Sequence, residues 1–440
     1  MSTFNTYNPR TNKILAKINI TSADEIRKMV EIAHDTQLVW GRKSVEDRAE
    51  IIVKAYALLV ERKDEIADLI HTEMGKTKDE SMREVTVYSA GIENMAKEMI
   101  EALSPSEKTI GDITTTTHYD PLGVCASITP WNFPMGMPHT LMMPSLIAGN
   151  TVLFKPSEEV PLIGMKYAEI LNETLPEGVL QVVLGLGETG AQLVESDVQL
   201  ITFTGSQKTG KHILGAAAKD LKRVLLELGG KDPLIIMDDA DLEAASDFAI
   251  QNSFRNAGQV CVGTEQIFIS AKKHKDFIEM LKQKASSYKI GTMINKKQQD
   301  HVIWQVNEAL EKGATLEFGN LEADFIEPII LSGVTPEMNI FMDETFGPVA
   351  CVTVVSSPEE AVNLANSTNY ALGAVIFGAD VGKATKLGRR LNAGMVGINK
   401  ACSGVKGSPW VGAGQSGYGF HGSLAGHRQF AQIRILSVAN

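Results

Sequence analysis

Apolar positions recur at helical spacing through most of the first hundred residues. Ser22-x-x-Glu25 is a capping-box pattern, in which serine and glutamate satisfy each other's free backbone donors, and it precedes a periodic segment ending near Trp40. Ser44 to Met74 continues the same spacing, and a third helical stretch runs from Lys78 to Leu103. The texture then changes. Thr114 to Tyr119 is β-branched and polar, which suits a strand whose faces are not both buried and predicts a protruding hairpin.

From Gly123 short apolar runs alternate with helical ones. Val124–Ile128, Thr151–Phe154, Val179–Leu184, Leu200–Phe203 and Arg223–Leu226 read as strands. Between them, Met135–Ala148, Leu162–Thr174, Thr189–Glu195 and Thr209–Ala218 read as helices. Such alternation predicts βαβ units and a parallel, doubly wound sheet. After Gly229-Gly230-Lys231-Asp232-Pro233 it restarts as a second α/β unit running to about Gly417, and Arg428–Ser437 reads as an extended tail. There is no internal repeat and no low-complexity segment.

Composition narrows the function classes. The 440-residue chain is 44% hydrophobic and 22% charged, the balance of a soluble globular protein of two or three domains. A formal net charge of −11, with no run of Lys or Arg, argues against nucleic acid and anionic membranes as partners. The N-terminus is polar and shows no secretory signal. The longest stretch free of charged residues, Pro121 to Phe154, carries prolines too densely to form a spanning helix. The four cysteines, Cys125, Cys261, Cys351 and Cys402, are far apart and form no CxxC, which predicts no metal site and a reducing, cytoplasmic setting.

Two glycine turns invite a nucleotide. Gly185-Leu186-Gly187-Glu188-Thr189-Gly190 follows a strand and opens a helix, and Gly205 to Gly210 does the same one unit later. Backbone N–H groups at such helix starts face a pyrophosphate well, although a plain tight turn gives the same pattern. Counting about 20 residues on from Gly205 for a ribose-binding acid nominates Glu227. Cys261 follows a helix-like segment, Asp241 to Asn256, with Gly258 breaking the helical pattern before it; alone, its thiol reads first as an inert core group, since free cysteine is among the most buried residue types, and second as a nucleophile.

Taken in order, Pro130-Trp131-Asn132-Phe133-Pro134, Phe154-Lys155-Pro156-Ser157-Glu158, Phe203-Thr204-Gly205-Ser206, Leu226-Glu227-Leu228-Gly229-Gly230, Gly258-Gln259-Val260-Cys261 and Glu344-Thr345-Phe346-Gly347-Pro348 resemble the motif series of the NAD(P)-dependent aldehyde dehydrogenase superfamily. The resemblance covers nearly the whole chain. It implies an α/β fold of two doubly wound domains with a small β oligomerisation element: residues 1–103 and 122–229 binding NAD, 230–420 carrying the cysteine, and 104–121 with 425–440 forming a hairpin and C-terminal strand. It also implies a homodimer or homotetramer.

By the same resemblance Cys261 attacks a small-molecule aldehyde, Asn132 and the Cys261 N–H receive the oxyanion, and Glu227 activates water rather than binding ribose. Lys155 and Glu158 fall where the adenosine ribose is held, and Glu344 where the nicotinamide ribose is. Trp131, Gly185, Gly205, Ser206, Leu228 and Phe346 fall in cofactor-lining segments. A carboxylate at Glu158 repels a 2′-phosphate, so NAD is expected over NADP, with NADP possible.

Three departures qualify the resemblance. Only Thr292 separates Lys289-Ile290-Gly291 from Met293-Ile294-Asn295, where relatives carry a longer segment. The patterns Pro409-Trp410-Val411-Gly412 and Gly419-Phe420-His421 place histidine where relatives usually have a water-ordering glutamate. Arg255 matches the carboxylate-binding arginine of succinate-semialdehyde dehydrogenases, but Thr140 stands where those enzymes supply a second one. The apolar, Met-rich Met135–Met143 suits an uncharged aldehyde or ordinary core packing. Two further activities stay open: a CoA-acylating dehydrogenase, which typically lacks the glutamate base, and a catalytically silent nucleotide-binding protein.

Overall fold

A computed structural model describes residues 2–323 and 325–439 of the chain. Two large sheets carry it. The first has the strand order Gly417–Tyr418, Arg223–Leu228, Leu200–Gly205, Val124–Ile128, Thr151–Lys155, Leu180–Val182, parallel except for the first strand. The second runs Thr315–Phe318, Ile329–Ser332, Val349–Val355, Thr264–Ser270, Asp232–Ile236, Gly373–Phe377, Met395–Ile398, again parallel except for its first edge. The central strands Val124–Ile128 and Thr151–Lys155 are buried throughout, as a parallel sheet covered on both faces requires. Function at such a sheet gathers at the carboxyl ends of the strands, and there Glu227 is the next-to-last residue of its strand.

The alternation read from the sequence is present almost element for element. The helices between the first strands are Gly136–Ile147, Pro161–Asn172, Gly187–Glu195 and Gln207–Ala217. Ser22 and Glu25 form the expected capping box on the helix Ala23–Trp40. Two features differ. Thr3–Tyr7 and Ile14–Asn19 form an antiparallel hairpin, invisible in the pattern because few of its side chains are buried. The Ser44–Met74 stretch is two helices, Val45–Glu61 and Lys63–Glu73, broken at Arg62, whose guanidinium reaches out to both carboxylate oxygens of Glu173 at 2.6 and 2.9 Å. The edge strand Gly417–Tyr418 lies late in the chain, inside the stretch assigned to the second domain, yet pairs with Arg223–Leu228 of the first sheet.

The Met-rich segment resolves into two roles. Met135, Met142 and Met143 are wholly buried in the core, while Met137 and Thr140 face a cavity. A third, three-stranded sheet joins Ser106–Ile110, Ile113–Pro121 and Ala431–Ala439, the last two in unbroken antiparallel register. Among the described residues no helix is long and apolar enough to cross a membrane.

Candidate active site

Cys261 sits where two cavities meet. One, of about 250 Å³, is lined by Tyr88, Met137, Glu227, Arg255, Trp410 and His421 beside the cysteine. The other, of about 290 Å³, is lined by Trp131, Asn132, Gly205, Leu228, Glu344 and Phe346, again with Cys261. Ser206 also lines the second. Residues scattered over the sequence thus converge on one sulfur from two sides.

The turn that presents the sulfur is strained. Asn256 and Ala257 both have φ of +54°, and Gly258 follows at +71°. The left-handed region costs a residue with a Cβ roughly 1–2 kcal/mol, so the surroundings must hold it. Glu80 Oε1 accepts the Asn256 N–H at 2.6 Å, and Asn256 Nδ2 donates to the Asn132 and Gln259 carbonyls at 3.1 Å each. Gln259 then ties the turn to the shortened segment: its Nε2 donates to the Thr292 carbonyl at 3.3 Å, and its Oε1 accepts from Ile294 N at 2.9 Å. Only glycine fits at 258, because a Cβ there would stand 2.0 Å from the Gly347 carbonyl.

The loop carrying Asn132 is fixed from behind. Glu84 Oε1 accepts from Met135 N at 2.9 Å and Gly136 N at 3.0 Å, satisfying donors at the start of the helix Gly136–Ile147. Lys76 Nζ pairs with Glu84 at 2.5 Å and lies 3.9 Å from the Phe133 ring centroid. Asn132 Nδ2 spends one N–H on the Gln259 carbonyl at 3.1 Å and has a second to offer.

The Glu344–Phe346 loop is held the same way. Glu265 accepts from Thr345 N at 2.8 Å and Phe346 N at 2.9 Å, and pairs with buried Lys231 at 2.6 Å. Phe346, at φ +51°, meets Trp131 edge-to-face with centroids 5.4 Å apart. Glu344 Oε1 accepts from Gly230 N at 3.1 Å, so it is drawn onto the turn that follows Glu227. Burial and the neighbouring Glu265 carboxylate push the Glu344 carboxyl up.

Glu227 pairs with His421 Nε2. Burial first, and then the Glu227, Asp232 and Glu344 carboxylates, push the Cys261 thiol up. Arg255 Nε, Trp410 Nε1 and Asp232 Oδ2 have no protein hydrogen-bond partner although the cavity borders all three residues.

Lys155, Glu158 and Gly185 lie away from both cavity linings. Lys155 Nζ is 3.7 Å from Glu158, burial pushes the lysine down, and a Cβ on Gly190 would pack 3.6 Å from the lysine stem. Gly185, at φ +154°, precedes the helix Gly187–Glu195. The sequence reading missed Lys76, Glu80, Glu84, Lys231 and Glu265, which act through the backbone of other segments and carry no motif of their own. It noticed His421 as a departure but did not foresee its pairing.

A model described as the aldehyde dehydrogenase family matches residues 1–436. The chain is 32% identical over 463 residues to a mitochondrial succinate-semialdehyde dehydrogenase of Oryza sativa subsp. japonica, covering 100% of this chain and 86% of that protein. It is 34% identical over 450 residues to a betaine aldehyde dehydrogenase of Sinorhizobium fredii (strain NBRC 101917 / NGR234), covering 98% of this chain and 92% of that one. Among solved structures, succinate-semialdehyde dehydrogenase from Burkholderia pseudomallei superposes with a TM-score of 0.96 at 33% identity, covering 100% of this chain and 95% of that chain. The chain belongs to the aldehyde dehydrogenase family. It is therefore an oxidoreductase, an enzyme of that class.

Proposed function

We propose that the enzyme oxidises an aldehyde to a carboxylic acid through a covalent adduct on Cys261, with Glu227 as the base for hydrolysis. The observation that carries this is the place of Cys261 at the junction of two cavities, one also lined by Glu227 and the other by Asn132. Sulfur adds to the aldehyde carbon as the thiolate, its proton having passed to water in the cavity. The negative charge passes to the aldehyde oxygen, where the free Asn132 N–H and the Cys261 N–H stabilise it; one such donor is worth about 3 kcal/mol. Loss of hydride leaves a thioester. Glu227 then takes a proton from water, the hydroxide adds to the thioester carbon, and the carbon–sulfur bond breaks to return Cys261.

The lining of the second cavity suits the nicotinamide end of a dinucleotide, which would supply the hydride acceptor when bound. Glu344 and Phe346 would hold its nicotinamide half. The Lys155–Glu158 pair, beside Gly190, would hold the adenosine ribose. Glu158 favours NAD over NADP by repelling a 2′-phosphate. NADH formation across a panel of aldehydes, with NAD and NADP, tests the reading; no turnover of any aldehyde sinks it, and a strict requirement for CoA replaces hydrolysis with acyl transfer.

For the substrate, the unpartnered Arg255 Nε favours an aldehyde bearing a carboxylate. A guanidinium facing a cavity without an acceptor is matched by a ligand that brings one. Succinate semialdehyde and betaine aldehyde, for which relatives are named, carry opposite charges, and the guanidinium favours the carboxylated one. The three-stranded sheet, with Ile433, Ile435 and Leu436 exposed, supports its reading as the oligomerisation surface. Val438→Asp in sedimentation experiments tests it by lowering the oligomer.

A further inference from the structure

The Glu227–His421 pair ties Glu227 to a segment outside its own strand, and three observations show that it is built. The side chains are only 10% and 8% exposed, so a carboxylate there needs a partner to offset its desolvation. The backbone of His421 is clamped: it exchanges both hydrogen bonds with Trp410, at 2.8 and 3.2 Å, and glycines at φ +77° and +79° turn the chain on either side. The segment just before it is bonded to the Glu227 strand itself, with Gly417 opposite Glu227 and Ser416 Oγ donating to the Gly229 carbonyl at 2.7 Å. Both side chains border the Cys261 cavity.

We propose that His421 is the positioning residue of the hydrolytic half-reaction. Its Nε2 engages one oxygen of Glu227 and holds the carboxylate in the cavity so that the other oxygen meets the incoming water. The proton still passes from water to Glu227, and His421 exchanges none. Because the first half-reaction turns on the sulfur and on Asn132, removing the imidazole slows release of the acyl group and spares its formation.

This rests on the thioester reading above, and the experiment separates the two. Wild type and His421→Phe are mixed with NAD and the best aldehyde of the panel; NADH is followed before the steady state, and the intact mass of the quenched protein is measured. In the variant, the steady-state rate is expected to fall at least about tenfold, within the range a well-placed base contributes. A burst of about one NADH per site appears at the wild-type burst rate, and an acyl mass accumulates on Cys261. Hydroxylamine, which attacks the thioester without a base, restores turnover. His421→Gln keeps an N–H donor and is expected to stay within about threefold of wild type. In the Glu227→Gln background His421→Phe adds no further loss, since the base it positions is gone.

A burst rate that falls together with the steady state, an unchanged steady state, or additive losses in the double variant would overturn the proposal. If His421→Phe does not fold, His421→Ala takes its place with the same burst and acyl-mass readouts and the same outcomes. Absence of any acyl mass in Glu227→Gln strikes the thioester reading itself rather than the role of His421.

Discussion

Two kinds of buried polar group meet around Cys261. Behind the walls, Lys76–Glu84 and Lys231–Glu265 are ion pairs in which each carboxylate also accepts two successive backbone N–H groups of a loop that lines the site. Inside the cavity, Arg255, Trp410 and Asp232 each carry a polar atom without a protein partner. Satisfied buried charges make a rigid frame, whereas unsatisfied ones are held at a cost that only a ligand or a reaction recovers. The contrast separates what shapes the site from what works in it, and the pairs resist exchange for the same reason.

If that division is right, breaking the frame costs stability and emptying the cavity does not. Lys76→Met leaves Glu84 charged and buried, and is expected to lower unfolding free energy by roughly 3–5 kcal/mol. Denaturant unfolding of the variant checks this; Arg255→Met under the same conditions is expected to change stability by less than about 1 kcal/mol. Equal losses would erase the distinction.

The next effect is kinetic. Asn132→Ala is expected to reduce kcat about 100-fold, as loss of a donor to a developing oxyanion does. It also removes the bond from Asn132 Nδ2 to the Gln259 carbonyl; Asn132→Asp, which keeps the shape and loses the donors, must fall comparably in steady-state assays. Smaller again, Arg255→Met is expected to lower kcat/KM roughly 10- to 100-fold for a carboxylated semialdehyde while leaving an uncharged aldehyde of the same length within about threefold. Parallel losses on both substrates would remove Arg255 from recognition.

The smallest effect is electrostatic. Burial and nearby carboxylates raise the Cys261 thiol, so its thiolate fraction grows as pH rises, and removing an anionic neighbour lowers the pKa. Glu227→Gln is accordingly expected to be alkylated by iodoacetamide up to about tenfold faster than wild type at one alkaline pH, a shift of at most about one unit. Slower alkylation would assign Glu227 the role of activating the thiol directly.

Much of this site was legible from residue order. Cys261, Glu227, Asn132, Glu344 and Phe346 stand in recognisable turns, and the structure gathers them around two adjoining cavities. The count from the glycine turn nominates Glu227 for ribose, whereas Glu227 lines the cavity it shares with Cys261, Arg255 and His421. The frame stayed hidden for a physical reason. Lys76 and Glu84 sit on opposite sides of a helix start, and Glu265 within a strand, where each looks like an ordinary surface charge until the chain is folded. The hairpin Thr3–Tyr7 with Ile14–Asn19 escaped because a largely exposed strand has no buried face to impose a two-residue period. His421 was visible as an exception, but its pairing depends on Gly417–Tyr418 docking the segment before it against the Glu227 strand.

The central claim is that turnover passes through an acyl group on Cys261. The most direct measurement is the intact and peptide mass of Glu227→Gln quenched during reaction with aldehyde and NAD. An added acyl mass confined to the peptide containing Cys261, absent in Cys261→Ala, is the predicted result. NADH formation that persists in Cys261→Ala, or acyl mass found on another residue, contradicts the account.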